Sequence, residues 1–331
     1  MKVATWNVNG IRTRIFDSLD NANYEKTQRS LKKQTGSCNN YRKILPSSSL
    51  ENLLKYDIDF LCFQETRCSI ELSNSLKIDN YKSVFNESKL TGARQAQRYS
   101  GTCIFYKEKY ECRISKIEYQ IPKYNDEEGR IVLMYLDNNT KLIINVYVPN
   151  SGTNLENRKL FQTAMLEFLS DCLKNSIEII YCGDFNVAYK DSDIHFNYEK
   201  SSSFKKVDKD TTQIVGYLPV EREFINKIIN INMIDTFNEI NTINNDVQNC
   251  LPIDFKGFTW WDQRVKKETN DNGIQIGINR NRNIGWRIDY IFTGNINKSK
   301  IVNCEVLKHI GEENSPQSSD HACVLCEFKD F

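Results

Sequence analysis

The sequence predicts an α/β sandwich in one domain, and three observations carry that expectation. Short strand-like runs recur along all 331 residues. Several are apolar on both faces, as strands buried between layers are: Ile58-Asp59-Phe60-Leu61-Cys62-Phe63 and Ile177-Glu178-Ile179-Ile180-Tyr181-Cys182. Helical patterns alternate with these runs instead of collecting at one end.

In chain order, strands are expected over Lys2–Trp6, Ile58–Gln64, Thr102–Tyr106, Arg130–Leu136, Leu142–Val148, Glu178–Cys182, Ile288–Phe292 and Ala322–Phe328. Ser48-Ser49-Leu50-Glu51 has a capping-box pattern and opens a short helix towards Tyr56. Leu155–Lys174 places Leu160, Phe161, Ala164, Met165, Phe168, Leu169 and Leu173 on one helical face. Pro219, followed by Glu221, Glu223, Phe224 and Ile228, starts another helix. Three polar segments, near 17–47, 198–216 and 266–284, read as insertions in a single domain spanning 1–331.

Composition excludes several classes. The chain is 40% hydrophobic and 26% charged, as ordinary globular proteins are. Its 44 basic and 43 acidic residues leave +1, so net charge announces no nucleic acid, although a local basic surface remains open. No run approaches the length of a membrane span. The first residues, Met1 to Asn7, carry neither an apolar signal core nor an Arg-rich transit helix. The eleven cysteines are therefore expected as reduced intracellular thiols. Zinc is not expected, because His195, His309 and His321 are not paired at ligand spacing.

The chemistry lies at strand ends. Asn7-Val8-Asn9-Gly10, Gln64-Glu65-Thr66, Tyr147-Val148-Pro149-Asn150 and Gly183-Asp184-Phe185-Asn186 each follow an expected strand. Asp289 begins another, and Ser319-Asp320-His321 precedes the last. One acid after a strand usually caps a turn. Six such turns point to a shared rim, where ligands bind in sandwiches. Carboxylate and amide oxygens are hard ligands and suit Mg²⁺. Mg²⁺ in such a site serves phosphoryl chemistry.

These blocks, with Arg67, Tyr99-Ser100-Gly101 and Gly285-Trp286-Arg287-Ile288-Asp289-Tyr290, run in an order that resembles the exonuclease III type of AP endonuclease. That type belongs to the endonuclease/exonuclease/phosphatase superfamily. The resemblance covers essentially the whole chain outside the insertions. It implies a four-layer α/β sandwich, two central mixed sheets flanked by helices. It also implies a Mg²⁺-dependent DNA-repair phosphodiesterase, with Mn²⁺ as a possible substitute. Its substrate would be double-stranded DNA with abasic sites or blocked 3′ ends.

The resemblance assigns roles. Glu65 would be the main metal carboxylate with Asn9 nearby, and Asp184, Asn186, Asp320 and His321 complete the metal-facing set. Asp184 would activate water, held with Asn186. His321, oriented by Asp289, would contact the scissile phosphate, with Asp320 a further acid. Tyr147 and Asn150 would position the phosphate or steady the leaving oxygen, and Asn7 would complete the network. Trp260, Trp286 and Ile288 would wall a pocket for a flipped-out abasic sugar. Arg67, Tyr99 and Arg264 would touch phosphates. Trp6 and Trp261 are expected in the core.

Asn9 stands where some relatives have Asp, and Thr153 where some carry an Arg inserted into DNA. The insertion after Arg14 and Arg98-Tyr99-Ser100-Gly101 resemble the second eukaryotic class, which leans towards 3′-end processing; the zinc-binding tail typical of that class does not occur in this sequence. The insertion at 266–284, with Lys266, Lys267, Arg280 and Arg282, is expected to lie over DNA. A monomer in the nucleus is the expected setting. Two alternatives stay open: another phosphoesterase of the superfamily, acting on inositol phosphate, phospholipid or RNA, and an inactive DNA-binding adaptor.

Overall fold

The computed structural model describes the chain except residues 18–44, 91–98, 153, 196–213, 244–254, 263–266, 270–274, 278–279, 281, 309 and 311–318. Most of the three insertions therefore lies outside the described residues.

Sixteen short strands appear among the described residues. They are β1 (Lys2–Asn7), β2 (Phe16–Asp17), β3 (Leu45–Pro46), β4 (Phe60–Gln64), β5 (Tyr81–Asn86), β6 (Thr102–Lys107), β7 (Ile114–Glu118) and β8 (Ile131–Leu136). There follow β9 (Lys141–Tyr147), β10 (Glu178–Asp184), β11 (Ile234–Asp235), β12 (Lys267–Thr269), β13 (Gln275–Gly277), β14 (Asp289–Gly294), β15 (Ile301–Leu307) and β16 (Cys323–Phe328). Twelve form two six-stranded sheets, ordered β15-β16-β1-β4-β6-β5 and β11-β14-β10-β9-β8-β7.

Strand alternation builds three apolar layers. Val3, Phe60, Cys62 and Ile104 of the first sheet meet Val132, Met134, Ile143, Ile180, Cys182 and Ile291 of the second. Their neighbours point outward. Ala4, Trp6, Leu61 and Phe63 pack on Leu50 and Leu53 of the helix Ser48–Leu54. Leu142, Ile144, Ile179 and Tyr181 pack on Phe161, Ala164, Met165 and Leu169 of the helix Leu155–Lys174. Helices thus cover the outer faces, and the four-layer sandwich holds. Truncating a core aromatic such as Phe161 to alanine costs about 3–5 kcal/mol at such sites.

Each sheet contains one parallel pair, β1 with β4 and β9 with β10. Parallel strands need a long crossover, and the helix Leu155–Lys174 supplies it between β9 and β10. A buried amide pair ties the sheets together just below the rim. Gln64 Nε2 donates to Asn145 Oδ1 at 2.6 Å, and Asn145 Nδ2 donates to the carbonyls of Phe63 and Cys103 at 3.1 and 2.8 Å.

Some expectations need correction. The cap of the short helix Ser48–Leu54 is Ser47, whose Oγ accepts from Leu50 N at 3.2 Å, and the helix stops short of Tyr56. Leu160 is 63% exposed despite its place in the apolar pattern. Cys323 and Cys326 have the Cys-x-x-Cys spacing of some zinc ligands. The strand sends them to opposite sides, Cys323 to the outer layer and Cys326 between the sheets, so they form no ligand pair. The described cysteines are free thiols, and all but Cys112 are buried.

Candidate active site

Register brings the polar strand ends together. Asn7 lies across from Gln64, the residue before Glu65. Asp184 lies between Tyr147 on one side and Asp289 on the other. The carboxyl ends of both parallel pairs therefore meet at one rim of the sandwich.

Sharp turns then aim the next side chains inward. Asn9, Glu65 and Asn186 have φ of 48°, 50° and 50°, in the left-handed region. Asn tolerates that region, whereas Glu65 is held there against its preference. Val8 N, Gly10 N and Ile11 N donate to the carbonyls of Gln64, Glu65 and Thr66 at 3.0, 2.8 and 3.0 Å. Thr66 N and Arg67 N donate to the carbonyls of Gly101 and Ser100, both at 3.0 Å. A side chain at Gly101, where φ is +85°, would collide with the Thr66 hydroxyl.

Asn7 is the hub. Its Nδ2 donates to Glu65 Oε1 at 2.9 Å and to Asp184 Oδ2 at 2.8 Å. Its own Oδ1 accepts from Asn9 N at 3.0 Å. Asp184 Oδ1 accepts from Asn186 N at 2.8 Å. Asn186 Oδ1 accepts from Asn150 Nδ2 at 3.3 Å, and Asn186 Nδ2 donates to the Val148 carbonyl at 2.8 Å. His321 Nδ1 lies 2.9 Å from Asp289 Oδ2, and its Nε2 lies 3.8 Å from Asp184 Oδ2. Asp320 accepts from Asn9 Nδ2 at 2.9 Å and from Trp260 Nε1 at 3.1 Å. Glu65 is also paired with Arg67, which is partly exposed.

The charges interlock. Burial, reinforced by Asp289, pushes the Asp184 carboxyl up to about 7. Burial alone would lower the His321 imidazole, but Asp289 and Asp184 outweigh it and raise it to about 10. Burial opposes the Asp320 carboxylate; His321, Asn9 and Trp260 prevail and hold it below its ordinary value. Burial and then the charge of Glu65 keep the Tyr147 phenol protonated, well above its ordinary value.

The donor set fits a hard divalent cation. Asp289 Oδ1 is buried with no hydrogen-bond partner. Ligand atoms of Asp184, Asp289 and His321 lie within 4.8 Å of one another. Glu65 stands one amide bridge from Asp184, and the group is mostly oxygen.

Trp260, Trp286 and Ile288 come together beside this centre. Trp286 and Ile288 pack with Ala188, Ile194 and Ile214, and Trp260 meets Trp286 edge to face at 6.2 Å between centroids. Trp6 and Trp261 are core, as expected. Arg264 and Thr153 lie outside the described residues. The insertion at 266–284 needs a correction at Arg280. Its guanidinium turns inward, stacks on Trp261 at 4.8 Å and donates to the Ser319 carbonyl at 2.6 Å. Lys266 lies outside the described residues.

Sequence reasoning missed the supports. Ser319 Oγ donates to the Asn7 carbonyl at 2.6 Å and accepts from His321 N at 3.1 Å. Thr259 Oγ1 accepts from the backbone N–H of Ile288 and Asp289 at 3.0 and 3.1 Å. Buried Arg158 donates to the carbonyls of Pro149 and Phe185 at 2.8 and 2.9 Å, holding the Asn150 and Asn186 loops together. Its signal was its place on the helical stripe of Phe161, Met165 and Leu169.

Two mixed sheets with carboxylates, amides and one histidine at their shared rim are the framework of a hydrolase. The chain matches the Endonuclease/Exonuclease/phosphatase family over residues 4–321 and belongs to it. It is similar to an exodeoxyribonuclease of Bacillus subtilis (strain 168), 25% identical over 321 residues, covering 96% of this chain and 97% of that protein. It is also similar to the DNA repair nuclease APEX1 of Danio rerio, 23% identical over 88% of this chain and 72% of that one. The crystal structure of the AP endonuclease LMAP from Leishmania major shares the fold. Its TM-score is 0.67 at 22% identity, covering 100% of this chain and 88% of that chain.

Proposed function

We propose that this protein is a Mg²⁺-dependent DNA-repair phosphodiesterase that hydrolyses the backbone 5′ to an abasic site. The products are a 3′-hydroxyl and a 5′-deoxyribose phosphate. The same centre trims 3′ ends as a 3′-phosphodiesterase or 3′→5′ exonuclease, and Mn²⁺ substitutes for Mg²⁺. The reading takes the protein as a monomer of the nucleus.

One observation carries it. A single amide, Asn7 Nδ2, holds Glu65 and Asp184 together, while His321 faces Asp184 from its Asp289 support. Asp184 is fixed by two hydrogen bonds, and its raised carboxyl suits it to take a proton from water. The His321 imidazolium offers its Nε2 hydrogen to a phosphate oxygen that gains charge in the transition state. Asn150 and Asn186 orient the phosphate, and the protonated Tyr147 phenol donates to the leaving oxygen. Glu65, Asp184 and Asp289 would hold the cation, which would supply Lewis-acid polarisation of the phosphate and positive charge near the leaving oxygen. The Trp260, Trp286 and Ile288 group takes a sugar that lacks a base. The relatives named as an exodeoxyribonuclease and a DNA repair nuclease support both halves of this reading.

The test is a cleavage gel on duplex DNA with one abasic analogue, with Mg²⁺ and with chelator. A 3′-recessed duplex and an inositol phosphate run beside it. Incision 5′ to the analogue only with Mg²⁺ is expected. Hydrolysis of the inositol phosphate alone would move the protein to another branch of the family. Tight DNA binding without any hydrolysis would make it an adaptor.

A further inference from the structure

Arg130 is among the largest fully buried side chains, 1% exposed. Its guanidinium lies against the Tyr147 ring, 4.6 Å from the centroid. Nη1 donates to the Tyr147 carbonyl at 3.0 Å, and Nη2 donates to the Tyr99 hydroxyl at 3.0 Å. Nε is paired with Glu128. One planar fork thus holds the ring and the backbone of one tyrosine and the hydroxyl of another.

The backbone fixes Arg130 as firmly. The N–H groups of Arg130 and Ile131 donate to Asp126 Oδ2 at 2.6 and 3.0 Å, and Tyr147 N donates to the Arg130 carbonyl at 2.9 Å. Gly129 makes the turn before it at φ +67°, where a Cβ would meet the backbone of Glu87 at 2.7 Å.

Packing alone does not explain this choice. Burying a cation costs hydration, and an apolar side chain of that volume fills such a space at less cost. What an arginine adds is a rigid charged fork that stacks on an aromatic face. The ring it stacks on feels the charges of Glu65 and Asp184.

We propose that Arg130 is a positioning residue that fixes the Tyr147 phenol in the centre and couples it to the exposed Tyr99, so that the two tyrosines meet the phosphate backbone as one unit. The proposal rests on the reading of Tyr147 given above. Lysine keeps the charge and loses the fork, so Arg130→Lys leaves the ring supported and the phenol loosely aimed.

The experiment has two arms. In the first, Arg130→Lys is made in the wild type and in Tyr147→Phe, and kcat and KM are measured on the abasic duplex. In the wild type, kcat falls about tenfold while KM changes little, the scale of a small misplacement. In Tyr147→Phe the same change costs almost nothing, because the hydroxyl it aims is gone. Equal losses in the two backgrounds would overturn the proposal. The second arm needs no cleavage: 3-fluorotyrosine is placed at position 147, and its ¹⁹F resonance is compared with a second label at buried Tyr181. Arg130→Lys is expected to shift and broaden the first resonance and leave the second unchanged. An unmoved first resonance in a folded variant would overturn the proposal. If the wild type cleaves no abasic DNA, the functional reading falls and the resonance arm still decides the role of Arg130.

Discussion

Two buried ionic clusters start two residues apart on the same strand approach, and they are built on opposite principles. Arg287 feeds the first. Its guanidinium meets both oxygens of Asp193 at 2.8 and 3.2 Å and both of Asp235 at 3.1 and 2.8 Å. Lys190 N donates to Asp193 at 3.0 Å, and Asn238 donates to Asp235 at 3.3 and 2.7 Å. Every carboxylate oxygen of that cluster has a donor. Asp289 feeds the second, where Asp184, Asp289 and Asp320 share the imidazole of His321, and Glu65 is paired with the partly exposed Arg67. There Asp289 Oδ1 has no partner, and the Asp184 carboxyl rises to about 7 under burial and the charge of Asp289. Buried charge alone therefore does not mark a functional site in this molecule. Surplus negative charge with an unpaired oxygen does, because it leaves work for a cation or a proton.

The largest effects should separate the clusters by activity. Asp184→Asn and His321→Ala should each lower kcat by at least about a hundredfold, the scale of acid–base and electrostatic terms. The double variant should fall little further, since the groups act as one unit. Multiplicative losses would place them in separate roles. The unfolding midpoint of Asp184→Asn should stay near that of the wild type.

Arg287→Met should do the reverse. It leaves two buried carboxylates without their cation, a loss of about 3–5 kcal/mol in comparable sites. Denaturant unfolding measures it, and the activity of the fraction that remains folded should change little. If Arg287→Met destabilises no more than Asp184→Asn, the contrast between the clusters collapses.

Which parts of this were legible in the sequence follows from where each residue sits. Central strands such as β4 and β10 are apolar on both faces, so their runs and the polar turns after them stood out. Edge strands β5, β7 and β15 have mixed, half-exposed patterns and left no clean period. Asn7, Glu65, Asp184 and Asp289 were found because each ends or begins a central strand. Arg130 and Arg158 were not, and Arg280 was expected over DNA, because a basic residue in a pattern reads as solvated, and only the carbonyls and rings around it show otherwise. The Gln64–Asn145 bridge was equally hidden, since its partners are 81 residues apart.

A smaller effect concerns the aromatic group beside the centre. Trp286→Ala should reduce abasic-site incision roughly tenfold more than 3′-end trimming, the scale of a specificity pocket. Rates on the two substrates compare directly, and equal losses would make Trp286 a structural residue of the Ala188, Ile194 and Ile214 cluster.

The smallest effect is a pH dependence of stability without metal. The folded Asp184 keeps its proton up to about 7, whereas the unfolded carboxyl releases it near 3.8. That stabilisation is full below the lower value and is lost as pH rises through the upper one. His321 follows the same sign at higher pH, its contribution full below 6.5 and lost towards about 10. In chelator, the wild-type unfolding midpoint should therefore decline from mildly acid to neutral pH more steeply than that of Asp184→Asn. Parallel curves would mean that Asp184 titrates normally.

The unsaturated cluster is expected to hold a hard divalent cation. Electron paramagnetic resonance of free Mn²⁺, titrated against the protein without DNA, tests it most directly. The wild type should bind, and Glu65→Gln and Asp184→Asn should each weaken binding by about tenfold or more, the range found when a metal site loses a supporting group. Arg287→Met, measured while folded, should bind as the wild type does. Equal Mn²⁺ binding by the wild type, Glu65→Gln and Asp184→Asn would contradict the account and place the cation elsewhere.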